Sequence, residues 1–250
     1  GVIKGSFIAN TDSAISSDGT IKSVNADFVA NSGDNGGAIA GTDSTIGGIS
    51  GNFIANSATA NGGAIYKSGG TIDNVTASFI GNNAATNGGA IYANAGTIGN
   101  IASDFAGNPA GTSGGALYME SSVNADTNVV GDFLANTGGT SGGAIYMTSS
   151  SLNNINGDFI SNSVAVSGSA TTFGGAILRD NSTVSGIGGR FINNSANTKG
   201  GAISAVDSTI NSINADLAGL LYEPRLFLAQ FIKYPFPYVG VIEFSGKYFP

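Results

Sequence analysis

The chain of 250 residues contains no cysteine, no histidine and no tryptophan, and only 10% of its residues are charged. Without cysteine there is neither a disulfide framework nor thiolate chemistry. Without histidine the usual neutral-pH acid–base group and the commonest transition-metal ligand are missing. A formal net charge of −7 argues against nucleic acid or an anionic membrane as partner. The longest apolar run, Leu226–Ile242, is interrupted by Lys233, Pro235 and Pro237 and is too short for a transmembrane helix. No segment has the pattern of a signal peptide, and the chain opens on Gly1 without a methionine, so it reads as processed or excerpted.

What the chain has in abundance is glycine, 40 residues of it, and repetition. Phenylalanine followed three residues later by asparagine occurs at Phe7, Phe28, Phe53, Phe79, Phe105, Phe133, Phe159 and Phe191, with Leu217 as a degraded ninth mark. Most spacings are close to 26 residues. The tripeptide GGA begins at Gly36, Gly62, Gly88, Gly114, Gly142, Gly174 and Gly200, and an aliphatic follows it each time. Thr or Ser precedes a third mark at Ile21, Ile46, Ile72, Ile98, Val123, Leu152, Val184 and Ile210. A period of this length with three apolar marks describes one turn of a solenoid.

Around each Phe the pattern alternates with period two, so the residues two before and two after it share its face, and these are small. In GGAIY the same alternation turns Ile65 inward and Tyr66 outward. Turn formers such as Gly47-Gly48 and Asp73-Asn74 follow the third mark and predict a bend there. Each coil is therefore expected to hold three short strands in an all-β parallel β-helix, about eight coils of ~26 residues stacked ~4.8 Å apart. The Asn of FxxN is expected in the left-handed region, with its amide paired to the next coil. The first Gly of GGA is expected to supply a positive φ, and the second to leave room inside.

The alternation of FIAN (Phe7, Phe53), FIGN (Phe79) and FLAN (Phe133) with GGAI resembles the polymorphic outer membrane protein repeats, best known from the chlamydial polymorphic membrane proteins. The resemblance covers residues 7–218. It implies a right-handed single-stranded parallel β-helix acting as an autotransporter passenger, on a bacterial surface or released from it. The implied role is adhesion, read here as binding to a host-cell protein or glycan; the residues themselves point to no enzymatic activity and no cofactor. The family's signal peptide and C-terminal translocator barrel have no counterpart in this sequence, so contact with the outer membrane would run only through a translocator outside this chain.

The outward positions supply the candidate sites. Tyr66, Tyr92, Tyr118 and Tyr146 on successive coils form a stripe expected to be exposed and to bind a partner, or simply to stack. A row immediately after each Phe, including Ile54, Ile80, Leu134 and Ile160, is a second partner stripe unless neighbouring residues shield it. Asp104, Asp132 and Asp158 form a third, capped by Arg190 one rung further on, and an ion-pair ladder explains it better than a metal.

No catalytic or metal-ligating set is assigned. Polysaccharide lyases and hydrolases use the same fold, and for that alternative the cluster to watch is Asp158, Arg179, Asp180 and Arg190. The partial ladder Thr20, Thr45, Thr71, Thr97, Thr183 and Thr209 leaves an ice-binding surface as a weaker alternative. Ser163–Phe173 is longer than its counterparts and is expected to project or to pack over the adjacent coil, with Val164, Val166 and Phe173 as its apolar content. Residues 1–218 form the repeat domain. Residues 219–250 hold four of the five prolines and are a divergent aromatic segment, read as a cap with a hairpin at Tyr238–Phe244 or as a gene-level junction.

Overall fold

The computed structural model describes residues 1–122, 126–165, 172–218 and 231–232. All regular structure among them is β-strand, and every strand pairing is parallel, coil n beside coil n+1. The protein is a parallel β-solenoid of about eight turns. Successive coils register residue on residue: Phe53 lies on Phe28 and beneath Phe79, Ile65 on Ile39 and beneath Ile91.

Three sheets run along the solenoid, and they are not divided as the sequence suggested. The third mark and the Phe segment share one sheet, and in Thr71–Ile80, Thr183–Ile192 and Thr209–Ala218 they are a single strand. The expected bend is a slip in phase: Asp73 and Asn74 are both exposed, so Ile72 and Val75 both point inward although three residues apart. Lateral pairing resumes at once, with Asn74 on Asn100 and Val75 on Ile101. The GGAIY segments, such as Ile65–Ser68 and Ile91–Asn94, form the second sheet. The third consists of two-residue strands just after each FxxN, from Ser32–Gly33 to Ser163–Val164.

The core is a set of ladders. Phe rings from Phe7 to Phe191 stack in one column with centroids 4.6–5.0 Å apart. From Phe28 onward these side chains are completely or almost completely buried, each contributing about 2–3 kcal/mol. Ala26 and Ala77, two residues before their Phe, are buried beside the column as the alternation requires.

The residue two after Phe does not follow it inward. Ala9, Ala30, Ala55, Gly81, Gly107, Ala135, Ser161 and Asn193 have φ of 53–63°. This left-handed residue turns the chain, so the Asn after it, not the residue itself, enters the core. The sequence had assigned the left-handed geometry to the Asn. Asn31 through Asn162 are fully buried and fully partnered. Asn82 is typical. Its Oδ1 accepts from Asn56 N at 3.0 Å and Asn56 Nδ2 at 2.9 Å, while its Nδ2 donates to Phe53 O at 2.9 Å and Asn108 Oδ1 at 3.0 Å. A buried amide satisfied from both neighbouring coils holds the corner against slippage.

The GGA pair behaves as its spacing suggested. The first glycine has φ of 58–67° at all seven positions. A Cβ on the second would collide with the backbone of the next coil, at Gly63 coming within 2.1 Å of Gly89 O. At the C-terminal side, Phe231–Ile232 pairs with Ala205–Val206. The mark at Val123 and the hairpin expected at Tyr238–Phe244 lie outside the described residues.

Asn82→Ala strips Asn56 N–H and Phe53 C=O of their partners inside the core. It should lower the unfolding free energy by roughly 2–4 kcal/mol, read as a shift in the urea midpoint. Exposed Asn52→Ala should move that midpoint far less.

Candidate binding face

The outward face of the second sheet carries the tyrosines. Within Ile65–Ser68 the pattern is buried, half-buried, buried, half-buried, so Tyr66 stands outward between inward Ile65 and Lys67. Tyr66, Tyr92, Tyr118 and Tyr146 occupy successive rungs in register. Their rings stack at 5.3, 5.0 and 5.0 Å.

The stripe was expected to be exposed, and the stacking itself limits that. Tyr92 is only 7% exposed and the other three are half-buried, because each ring covers its neighbour's face. Tyr92 donates its hydroxyl to Glu120 Oε2 at 3.1 Å. Burial first, and then the Glu120 carboxylate, pushes the Tyr92 phenol up to about 12. The same two causes raise Tyr118 further. Tyr146 is raised by burial and then by Asp180. Mid-column, a partner meets ring edges and hydroxyls rather than ring faces.

The two ends of the column differ. After Tyr146 the next rung is Leu178, which is buried. Before Tyr66 the rung is Ala40, and here the column borders an open hollow of about 370 Å³. Asp12, Ser13, Asp34, Asn35, Ala40, Thr42 and Tyr66 line it.

The aliphatic row after Phe is in register from Ile8 to Ile192, but its exposure is uneven. Ile80 is 45% exposed and Leu134 48%, while Ile54 and Ile160 are half-buried. Ala106 interrupts the row between Ile80 and Leu134.

The aspartate ladder forms and is capped as proposed. Asp104 Oδ1 accepts from Asp132 N at 2.9 Å, and Asp132 Oδ1 from Asp158 N at 3.0 Å. Arg190 donates Nε to both Asp158 oxygens at 3.1 Å and Nη2 to Oδ2. This hydrogen-bonded ion pair holds the Asp158 carboxyl below the usual carboxylate range.

The cluster singled out for polysaccharide cleavage does not converge. Arg179 points into the core and is 0% exposed, while its neighbour Asp180 faces outward on the second sheet. Asp158 and Arg190 are on the first sheet, engaged with each other. The threonine ladder is a single file, one residue per coil. In the long connection Ser163–Val164 extends the third sheet, and Phe173 bridges Ser141 and Lys199 in its coil's place. Lys199 Nζ lies 5.7 Å from the Phe173 ring centroid. Val166 lies outside the described residues.

Two buried cations were missed. Lys67 and Arg179 occupy the inward position two residues past the GGA aliphatic, where other coils place Ala93, Met119 and Met147. Both are 0% exposed. Lys67 Nζ donates to Ser44 O at 2.6 Å and Ser44 Oγ at 3.2 Å. Arg179 Nη2 donates to Ser182 O at 2.5 Å and Thr209 O at 2.6 Å, while Nε and Nη1 have no partner among the described residues. Burial lowers Arg179 to about 10 and lowers Lys67 as well, against the opposing pull of Asp43. The signal was present, since counting two past Ile65 puts Lys67 inside; the charge had obscured it.

A buried lysine with a lowered pKa costs stability while it stays charged, and stability recovers as pH rises from that lowered value towards the unfolded value of 10.5. Lys67→Met, copying Met119 and Met147, should raise stability by about 1–3 kcal/mol at neutral pH. The advantage should shrink as pH approaches 10.5 in paired denaturation curves.

The tyrosines have the opposite slope. Folding favours their neutral form, so their contribution is intact below the unfolded value of 10.0 and is lost as pH rises through about 12 for Tyr92. A phenolate absorbance titration of the native chain should lag that of the unfolded chain. Glu120→Gln should move the Tyr92 step downward, and an unmoved step would show that the carboxylate has no part in it.

Among known proteins, the Chlamydia polymorphic membrane protein (Chlamydia_PMP) repeat matches residues 76–94 and 188–206. Each match runs from the Phe segment of one coil (Phe79, Phe191), through its Asn and GGA corner, to the end of the second-sheet strand. No curated protein and no solved structure matches. Two coils of the solenoid, one in each half of the chain, thus match the Chlamydia polymorphic membrane protein repeat.

Proposed function

We propose that this chain is a surface-displayed or secreted bacterial β-solenoid that adheres to a host-cell protein or glycan through the tyrosine-bearing face of its second sheet. The repeat type and the fold support a surface-associated repeat protein. The observation that carries the adhesive reading is the column of four tyrosines, held rigidly at about 5 Å intervals and ending at an open hollow. Rigid, half-buried tyrosines supply contact area at low entropic cost, because their rotamers are already restricted before binding. The core ladders meanwhile leave no conformational slack beneath them. The aliphatic row with Ile80 and Leu134 exposed is a second contact surface on another sheet.

Binding of the purified chain to cultured host cells and to a glycan array checks this reading. The double variant Tyr92→Ser/Tyr118→Ser should reduce binding by about tenfold or more while the β-sheet circular dichroism is kept. Undiminished binding by the folded variant would remove the tyrosine face from the adhesive surface.

A further inference from the structure

The tyrosine column stops abruptly at Tyr66, and what borders it there differs from the rest of the face. Ala40 sits in register where the next ring of the column would fall. Tyr66 is stacked by Tyr92 on one side and lines the hollow with Ala40 and Thr42 on the other. Two corner loops border the hollow with Asp12 and Ser13 from one coil and Asp34 and Asn35 from the next. The lining contains two carboxylates and no basic side chain.

We infer that this hollow takes the guanidinium group of an arginine side chain presented by a basic segment of a protein partner. The inference rests on the reading of the tyrosine face as the binding face and adds what that face recognises. Three properties of the site select that group. A planar guest continues the column at its own repeat, and guanidinium is planar and stacks on aromatic faces, whereas an ammonium is a compact, strongly hydrated point charge. The carboxylates of Asp12 and Asp34 neutralise a cation and accept its forked N–H donors. A neutral saccharide would stack on Tyr66 equally well, but it leaves both negative charges without a counter-charge.

The walls are also set in place before a guest arrives. Asp34 Oδ1 accepts from Thr59 Oγ1 at 2.8 Å, and among the described residues this engages only one of its two oxygens. Ser13 Oγ donates to Asn35 O at 3.1 Å and ties the two loops together. Asp12 and Ser13 hold φ of 62° and 65°, left-handed backbone that shapes the corner from which they project.

The test uses the full chain and two probes, acetyl-Gly-Arg-Gly amide and the same peptide with citrulline, a neutral planar isostere. Nuclear magnetic resonance titration should give saturable binding of the arginine peptide that weakens with salt. The citrulline peptide should bind about tenfold more weakly, as should the arginine peptide to Tyr66→Ser or Asp34→Asn. Ala40→Tyr is the sharper variant, because it extends the column by one ring, fills the hollow and should abolish binding without loss of stability. Asn52→Ala, on the first sheet and outside the lining, should leave peptide binding unchanged.

Equal affinity for both peptides, or arginine binding that survives Ala40→Tyr, overturns the inference. So does glycan-array binding that Ala40→Tyr removes in the absence of peptide binding, which would assign the hollow to a saccharide. Cell adhesion that persists in Ala40→Tyr but falls in Tyr92→Ser/Tyr118→Ser sinks the arginine site and spares the scaffold reading. Peptide binding without any cell adhesion does the reverse.

Discussion

Everything in this molecule depends on lateral register. Each coil hydrogen-bonds to the one before and the one after, so any group buried in one coil must be matched at the same rung in its neighbours. The buried asparagine ladder is the strictest expression of that constraint. Four hydrogen bonds converge on each side chain from two different coils, and a shift of one residue would strand them in an apolar interior, at a cost of about 1–3 kcal/mol per group. The phenylalanine column sets the same register less strictly, since apolar rings tolerate small displacements and amides do not.

Within that frame the interior has little freedom and the exterior has much. Gly63 cannot accept a Cβ, Phe79 cannot lose its ring cheaply, and Asn82 has no substitute with the same donors and acceptors. Outward positions vary along the same sheets: Ala40, Tyr66, Tyr92, Tyr118, Tyr146 and Leu178 share one column. This separation lets a repeat protein change what it binds without changing how it folds. Lys67 and Arg179 are the exceptions inside. Each places a cation in the core and caps main-chain carbonyls at a corner, a polar contact that competing registers would lack.

Much of the fold was legible because the repeat is long and the chemistry of each mark is distinct. The Phe column, the glycine corner at Gly62 and the core position of Ile65 followed from periodicity alone. The assignment of strands to sheets did not follow. A turn-forming pair such as Asp73-Asn74 does not by itself say whether the chain leaves its sheet or merely slips in phase within it. The left-handed residue was misplaced by one position, at Asn56 instead of Ala55, because asparagine is the usual occupant of that conformation and alanine is not. For the candidate site, alternation identified which tyrosines stand outward, but their mutual shielding required the actual 5 Å spacing of the rings.

The sequence by itself determined the repeating unit, the parallel stacking and the identity of the ladders, because those depend on which residues recur and at what period. Only the tertiary structure decided which groups meet when they do not recur. Arg179 and Arg190 are both arginines, eleven residues apart in the sequence. One is sealed in the core against carbonyls and the other pairs with Asp158 on the surface, because a shift in side-chain phase across sheets separates inside from outside. The hollow beside Tyr66 has the same origin. It exists because Ala40, Asp12 and Asp34, from separate corners and strands, are brought to one end of a column whose other members cover each other.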